Sequence, residues 1–221
     1  MKGKFFGVST GPGDPGLMTI KAVRITEACD CIAAVDGGGN MTALSIAKKA
    51  VDLSGKTIIP LKMPMTRDST SLSSAWDTAA ETIAEYLDEG KDVAMLTLGD
   101  VSVYSTVSYV ADRLSGIGYE CEMCPGVTSF CAVASAFGIP LVTGGEPLIV
   151  IPSQCGDDEI KELLSLHGTK VVMKGAGRIS RLIGECDHEK VYTAENCGLD
   201  NEHLRHDLPD DSGYFTTVIV K

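Results

Sequence analysis

Positive charge is scarce in this sequence. It carries 19 lysines and arginines against 30 aspartates and glutamates, a net charge of -11. Phosphate binding needs a basic stripe, and none runs along the chain, so no nucleic-acid partner is expected. The acidic surface serves solubility instead. Long apolar runs are also missing. Nothing approaches the ~20 apolar residues of a membrane helix, so no membrane partner is expected. The start, Met1-Lys2-Gly3-Lys4-Phe5-Phe6-Gly7-Val8, is basic and then apolar like a signal peptide. Its apolar part is too short for one, and Gly11-Pro12-Gly13-Asp14 breaks it, so it reads as the first strand of a cytoplasmic protein. Histidines number four and cysteines eight, but zinc spacing is absent. Cys121 and Cys124 form one Cys-x-x-Cys with no second pair, and His203 and His206 have no cysteine nearby. Cys29 and Cys31 read as sharing one face of a strand. The cysteines are therefore expected to be free thiols in a reducing compartment, with no protein-bound metal.

What is present is an α/β pattern. The chain has 221 residues and is 44% apolar, enough for a sizeable core. Strands are expected at Lys4–Ser9, Cys31–Val35, Thr57–Ile59 and Asp92–Leu98, with helices at Thr19–Ala28, Thr42–Val51, Ser71–Glu89 and Val103–Leu114 between and after them. Trp76, Ala80, Ile83, Ala84 and Leu87 share one face of the long helix, and Gly90 ends it. This alternation predicts a mostly parallel sheet. Ser115-Gly116-Ile117-Gly118 breaks the composition. It divides the chain into an N-terminal α/β domain, residues 1–116, and a C-terminal α/β domain, residues 119–221. The second part reads as strands at Tyr119–Met123, Pro147–Pro152, Thr169–Lys174, Lys190–Ala194 and Tyr214–Val220, with a helix at Phe130–Phe137. Gly198–Asp211 reads as a solvated loop or hairpin tip. No internal repeat or low-complexity tract occurs.

Two glycine-bearing loops carry the chemistry. Ser9-Thr10-Gly11-Pro12-Gly13-Asp14-Pro15 follows the first strand. Leu96-Thr97-Leu98-Gly99-Asp100 follows a later one and leads into Val103-Tyr104-Ser105-Thr106. Both sit at carboxyl ends of expected parallel strands, where open α/β sheets bind ligands. Gly11 to Gly16 matches G-x-G-x-x-G, and Asp36 lies near the position of a ribose-binding acid, so a dinucleotide-binding oxidoreductase is the alternative reading. Against it, Pro12 and Pro15 remove N–H groups that phosphates would use, and Asp14 puts a carboxylate where they would bind. Asp14-Pro15 reads better as a helix cap followed by proline at the first position. Acids in both loops favour a ligand with a positive end.

The same residues resemble a known family. Gly11-Pro12-Gly13-Asp14-Pro15 with Leu17, Thr19 and Lys21-Ala22 is similar to the first loop of the tetrapyrrole (corrin/porphyrin) methyltransferases. Thr97-Leu98-Gly99-Asp100 with Val103-Tyr104-Ser105-Thr106 resembles their second loop, and Pro125-Gly126-Val127-Thr128-Ser129 the segment opening their second half. The likeness runs from Phe6 to Val220. Pro64-Met65-Thr66, Thr128-Ser129-Phe130 and Gly145-Glu146-Pro147-Leu148 resemble the C(20)-methyltransferases that act on precorrin-2 or cobalt-precorrin-2 in cobalamin synthesis. One position departs: proline usually follows the second Gly-Asp, and here it is Val101.

The resemblance implies two α/β domains with S-adenosylmethionine bound in a cleft between them, and S-adenosylhomocysteine as product. It implies a homodimer and methyl transfer to a tetrapyrrole. It places Pro12, Gly99, Asp100, Val103, Tyr104, Thr128, Ser129 and Met173 at the cofactor, and Asp14 with Arg67 at the substrate. The tetrapyrrole's carboxylates need local cations, and Lys21, Lys62, Lys174, Arg178 and Arg181 are further candidates. Arg67 ranks first because it follows the Pro64-Met65-Thr66 segment, and arginine can meet a carboxylate bidentately. No histidine lies in either loop, and no residue is assigned to take up the departing proton.

Overall fold

Apolar residues run without interruption along β1 (Phe5–Ser9), from Phe5 to Val8, so the strand has an apolar residue on each face. The computed structural model describes residues 2–38, 40–66, 68–174, 177–186, 188–208, 213 and 215–221. Phe5 points to one face of the sheet and Val8 to the other, as the two-residue strand period requires. The same holds for β4 (Val93–Thr97), where Met95 and Leu96 enter opposite cores. A strand buried on both faces belongs to a parallel sheet covered by helices on each side.

With β2 (Cys31–Asp36), β3 (Thr57–Lys62) and β5 (Cys121–Cys124), these strands form a sheet of order β3-β2-β4-β1-β5. Every pairing in it is parallel. On one face, α3 (Ser69–Asp88) and α4 (Thr106–Gly116) bury Ile83, Leu87, Val107, Val110 and Leu114 with Phe5 and Met95. On the other, α1 (Ile20–Ala28) and α2 (Thr42–Ala50) bury Ala22, Leu44 and Ala47 with Val8, Ile32 and Leu96. Trp76 of α3 stacks flat on Tyr109 of α4, with ring centroids 4.0 Å apart. Gly90 follows α3 at φ +78°, a left-handed stop that glycine reaches without strain.

The C-terminal residues form a second sheet of order β6-β7-β10-β8-β9, from β6 (Leu148–Pro152), β7 (Thr169–Met173), β8 (Val191–Glu195), β9 (His203–Arg205) and β10 (Thr216–Val220). β6 and β7 are parallel, whereas β10 runs antiparallel to β7 and β8. Its core joins Ile151, Val172 and Val218 to Ile160 and Leu164 of α6 (Asp157–Ser165) and to Ile179, Leu182 and Ile183 of α7 (Gly177–Gly184). A further helix, α5 (Ser129–Ala136), opens this part of the chain.

Several expectations need adjusting. The chain divides into compact units at 128/129, not near Ser115–Gly118. The physical reason is strand pairing: β5 lies against β1 from Phe5 opposite Cys121 to Val8 opposite Cys124, so it completes the first sheet. The helix expected from Val103 starts at Thr106, because Ser105 caps it and residues 101–104 form a turn. Cys29 is the C-cap of α1 and packs in the opposite core from Cys31, so the two share no strand face. Within the stretch expected as a solvated loop or hairpin tip, His203–Arg205 forms a strand antiparallel to β8. Helices α6 and α7 were not anticipated, although each carries apolar residues at helical spacing. Among the described residues, no helix is long and apolar enough to cross a membrane.

Candidate functional site

Strand order brings the two glycine loops side by side. β1 lies between β4 and β5, so the segments leaving all three carboxyl ends are neighbours. The first two are joined by their backbones. Gly99 N–H donates to the Gly11 carbonyl at 2.7 Å, and Gly11 N–H returns to the Gly99 carbonyl at 3.3 Å. Just before this bridge, the Thr10 N–H and hydroxyl both donate to the Thr97 carbonyl, at 2.9 and 3.0 Å. Gly11 and Gly99 sit at φ +74° and +75°, a region that side chains disfavour. At Gly99 a Cβ would meet nothing within 4 Å, so its backbone lies open to close approach.

Asp100 fastens the second loop to the segment after β5. Its Oδ2 accepts the Gly126 N–H at 2.6 Å, and its Oδ1 accepts the Ser102 N–H at 2.8 Å together with the Ser102 hydroxyl. Burial alone would push this carboxyl's pKa up. The donors from Gly126 and Ser102 outweigh that and hold it below the ordinary carboxylate range. Ser9 adds a second tie, accepting the Val101 N–H and donating to the Cys124 carbonyl, each at 2.8 Å. The Asp100–Val103 turn closes with Val103 N–H to the Asp100 carbonyl at 3.2 Å. Tyr104 then takes φ +48° with its ring half exposed. Ser105 caps α4 at the Val107 N–H, 3.2 Å away, and its hydroxyl donates to Thr97 Oγ1 at 3.0 Å.

The structure thus gathers Pro12, Gly99, Asp100, Val103 and Tyr104 around one pair of loops. Thr128 ends the same unit, and its Oγ1 is buried with no hydrogen-bond partner among the described residues. In the second unit, Ser129 and Met173 converge on one residue. The Thr217 hydroxyl donates to Ser129 Oγ at 3.3 Å, and Thr217 lies opposite Met173 in the β10–β7 register. Thr217, Ser9 and the Gly126 N–H were not singled out from sequence, because their partners lie 88, 115 and 26 positions away.

The remaining candidates are placed differently. Asp14 is exposed and caps the short turn Pro15–Leu17, accepting the Gly16 N–H at 2.7 Å with Pro15 at the first position. Arg67 lies outside the described residues. Lys21 is paired with Glu122 at 2.7 Å, Arg178 with Asp157 at 2.6 Å and Arg181 with Asp157 at 3.7 Å. Lys62 is exposed at the end of β3, and Lys174 sits at φ +57° after β7. Asp36 ends β2, and β4 separates that strand from the glycine loop after β1. A dinucleotide site needs those two strands adjacent, so the order works against that reading. Among the described residues, no three or more His, Cys, Asp or Glu are grouped to hold a metal ion.

The chain is similar to known proteins along nearly its whole length. Residues 4–209 match the Tetrapyrrole (Corrin/Porphyrin) Methylases. The cobalt-precorrin-2 C(20)-methyltransferase of Salmonella typhimurium is 33% identical, over 100% of this chain and 97% of its own. The precorrin-2 C(20)-methyltransferase of a Sinorhizobium species is 29% identical, over 99% and 95%. Among solved structures, a cobalt precorrin-4 methyltransferase superposes with a TM-score of 0.76 at 17% identity, covering 98% of this chain and 94% of that one. A uroporphyrin-III C-methyltransferase from Thermus thermophilus complexed with S-adenosylhomocysteine gives 0.71 at 19% identity, covering 98% and 97%. With its family motifs joined at the carboxyl ends of β1, β4 and β5, this chain belongs to the tetrapyrrole (corrin/porphyrin) methylase family.

Proposed function

We propose that this protein moves the methyl group of S-adenosylmethionine to carbon 20 of cobalt-precorrin-2 in cobalamin synthesis. The observation that carries the reading is the bridge between Gly11 and Gly99, which presents an open left-handed backbone beside a pinned aspartate. Likeness along the whole chain to C(20)-methyltransferases supports the substrate class.

S-adenosylmethionine, when bound, supplies an electrophilic methyl on a sulfonium. The residues present fit such a group. The open face at Gly99 admits its amino-acid end, and the Thr128 hydroxyl, unpartnered among the described residues, offers a polar contact. Gly99, Val103 and Tyr104 hold that end through their backbone, while Asp100, with both oxygens already engaged, acts by fixing the shape of the loop. Pro12 walls the first loop. Ser129 and Met173 are likewise assigned to the methyl donor, and Asp14 and Arg67 to the tetrapyrrole. These residues chiefly orient the groups and exclude water, because methyl transfer needs the accepting carbon in line with the breaking C–S bond. The chain acts as a homodimer.

Turnover on cobalt-loaded and metal-free precorrin-2 tests the reading. Faster C(20) methylation of the cobalt form is expected, and no methylation of either form overturns it. Ligand-dependent melting separates it from the dinucleotide reading, because a ligand that binds only the native state raises the melting temperature. S-adenosylhomocysteine is expected to raise it, and NAD is not. Light scattering near the 23.3 kDa monomer mass would overturn the homodimer.

A further inference from the structure

Ser9 is wholly buried at the carboxyl end of β1. Its hydroxyl joins two segments that no strand pairing connects. It takes the N–H of Val101 in the turn after β4 and gives its proton to the carbonyl of Cys124 at the end of β5, both at 2.8 Å. Val101 is the second residue of the Asp100–Val103 turn. Proline suits that position, because its ring fixes φ near the value the turn needs. Only a residue with an N–H can use the Ser9 hydroxyl. Gly126 completes the fit, since a Cβ there would overlap that of Ser9 and crowd the Gly99 carbonyl at 3.0 Å.

We propose that Ser9 is a positioning residue for the loop Gly99–Val103. Its hydroxyl supplies by hydrogen bond the restraint that a proline ring would supply covalently. The inference rests on the reading of this loop as the holder of S-adenosylmethionine. A Cβ at Gly99 would meet nothing within 4 Å, so the loop's left-handed shape is held by its hydrogen bonds. When fewer molecules hold the competent shape, apparent affinity falls by that fraction. The loss falls on the methyl donor and spares the tetrapyrrole.

A double-mutant cycle on the full chain tests this, with S-adenosylhomocysteine binding read by calorimetry. Ser9→Ala strands the Val101 N–H and is expected to weaken binding about tenfold, the scale of one buried hydrogen bond. The Michaelis constant for S-adenosylmethionine should rise with it, while that for the tetrapyrrole and the saturated rate hold. Val101→Pro alone is expected to stay within about twofold of wild type, and Ser9→Ala/Val101→Pro to recover most of the loss. Wild-type affinity in Ser9→Ala overturns the proposal, as do additive losses in the pair. Should Ser9→Ala not fold, amide exchange in the unaltered protein reads the same bond: slow exchange at Val101 supports it, and the rate of an unprotected loop amide overturns it. An unaltered protein that does not bind S-adenosylhomocysteine overturns the donor reading itself, and this inference with it.

Discussion

Asp100 and Gly126, 26 positions apart, are joined by a 2.6 Å hydrogen bond from the Gly126 N–H to Asp100 Oδ2. The bond runs from the turn after β4, across the end of β1, to the segment after β5. A carboxylate that reads in sequence as a ligand contact is, in the fold, a fastener between two backbone segments.

Removing that fastener should loosen the loop without unfolding the sheet beneath it. Asp100→Ala is expected to weaken S-adenosylhomocysteine binding by roughly ten- to a hundredfold, since bonds to a charged group are worth ~1.5–3 kcal/mol. Calorimetry reads the affinity, and circular dichroism should show an unchanged fold. Wild-type affinity would remove Asp100 from the site.

The same carboxylate carries a pH signature. Its pKa is depressed in the folded state, so its stabilising contribution is present above the unfolded value of about 3.9 and is lost as pH falls through the lower folded value. Urea unfolding across a pH series should show wild type more stable than Asp100→Asn at neutral pH, with the gap closing only below about pH 4. A constant gap at all pH values would contradict the assignment.

Gly126 has no room for a side chain. A methyl there meets the Ser9 Cβ and lies 3.0 Å from the Gly99 carbonyl oxygen. Gly126→Ala should cost ~1–3 kcal/mol of stability, the usual range for overpacking. It should also weaken S-adenosylhomocysteine binding. A melting temperature equal to wild type would show that the segment can move aside freely.

Arg67 is the cation to test against the tetrapyrrole, because it follows the Pro64-Met65-Thr66 segment that resembles the C(20)-methyltransferases. Arg67→Ala should raise the Michaelis constant for the tetrapyrrole roughly ten- to a hundredfold and leave S-adenosylhomocysteine binding unchanged. Arg67→Lys should recover part of the loss, since lysine lacks the planar fork. An unchanged constant in Arg67→Ala would make it a solvated surface cation.

Burial pushes the thiols of Cys29 and Cys197 up to about 12, while Cys131 is exposed. Thiolate is the reactive form, so buried thiols with raised pKa values should be inert. Iodoacetamide at mildly alkaline pH should label Cys131 first and reach Cys29 and Cys197 only after unfolding, as mass spectrometry can count. Early labelling of Cys29 would mean that the C-terminal end of α1 opens readily.

Local patterns made much of this fold legible. Asp14-Pro15 was readable as a cap because a short acceptor before a proline satisfies free N–H groups at once, and Asp14 does accept the Gly16 N–H. Gly90 was readable as a stop for the same kind of reason. Two elements were legible but unread. Ile160, Leu163 and Leu164 in α6, and Ile179, Leu182 and Ile183 in α7, carry helical spacing in short segments dominated by charge and glycine.

The sequence by itself determined most strands and helices of the first sheet, and that two glycine loops follow strands, because periodicity and turn chemistry act over a few residues. Tertiary structure alone decided that β1 lies between β4 and β5, that β5 belongs to the first sheet, and that Ser9, Asp100 and Gly126 meet. Strand order is chosen by which faces bury best against which helices. The hydrogen bonds that shape the site then fall to whichever donors and acceptors that packing brings within reach, across distances that no local pattern records.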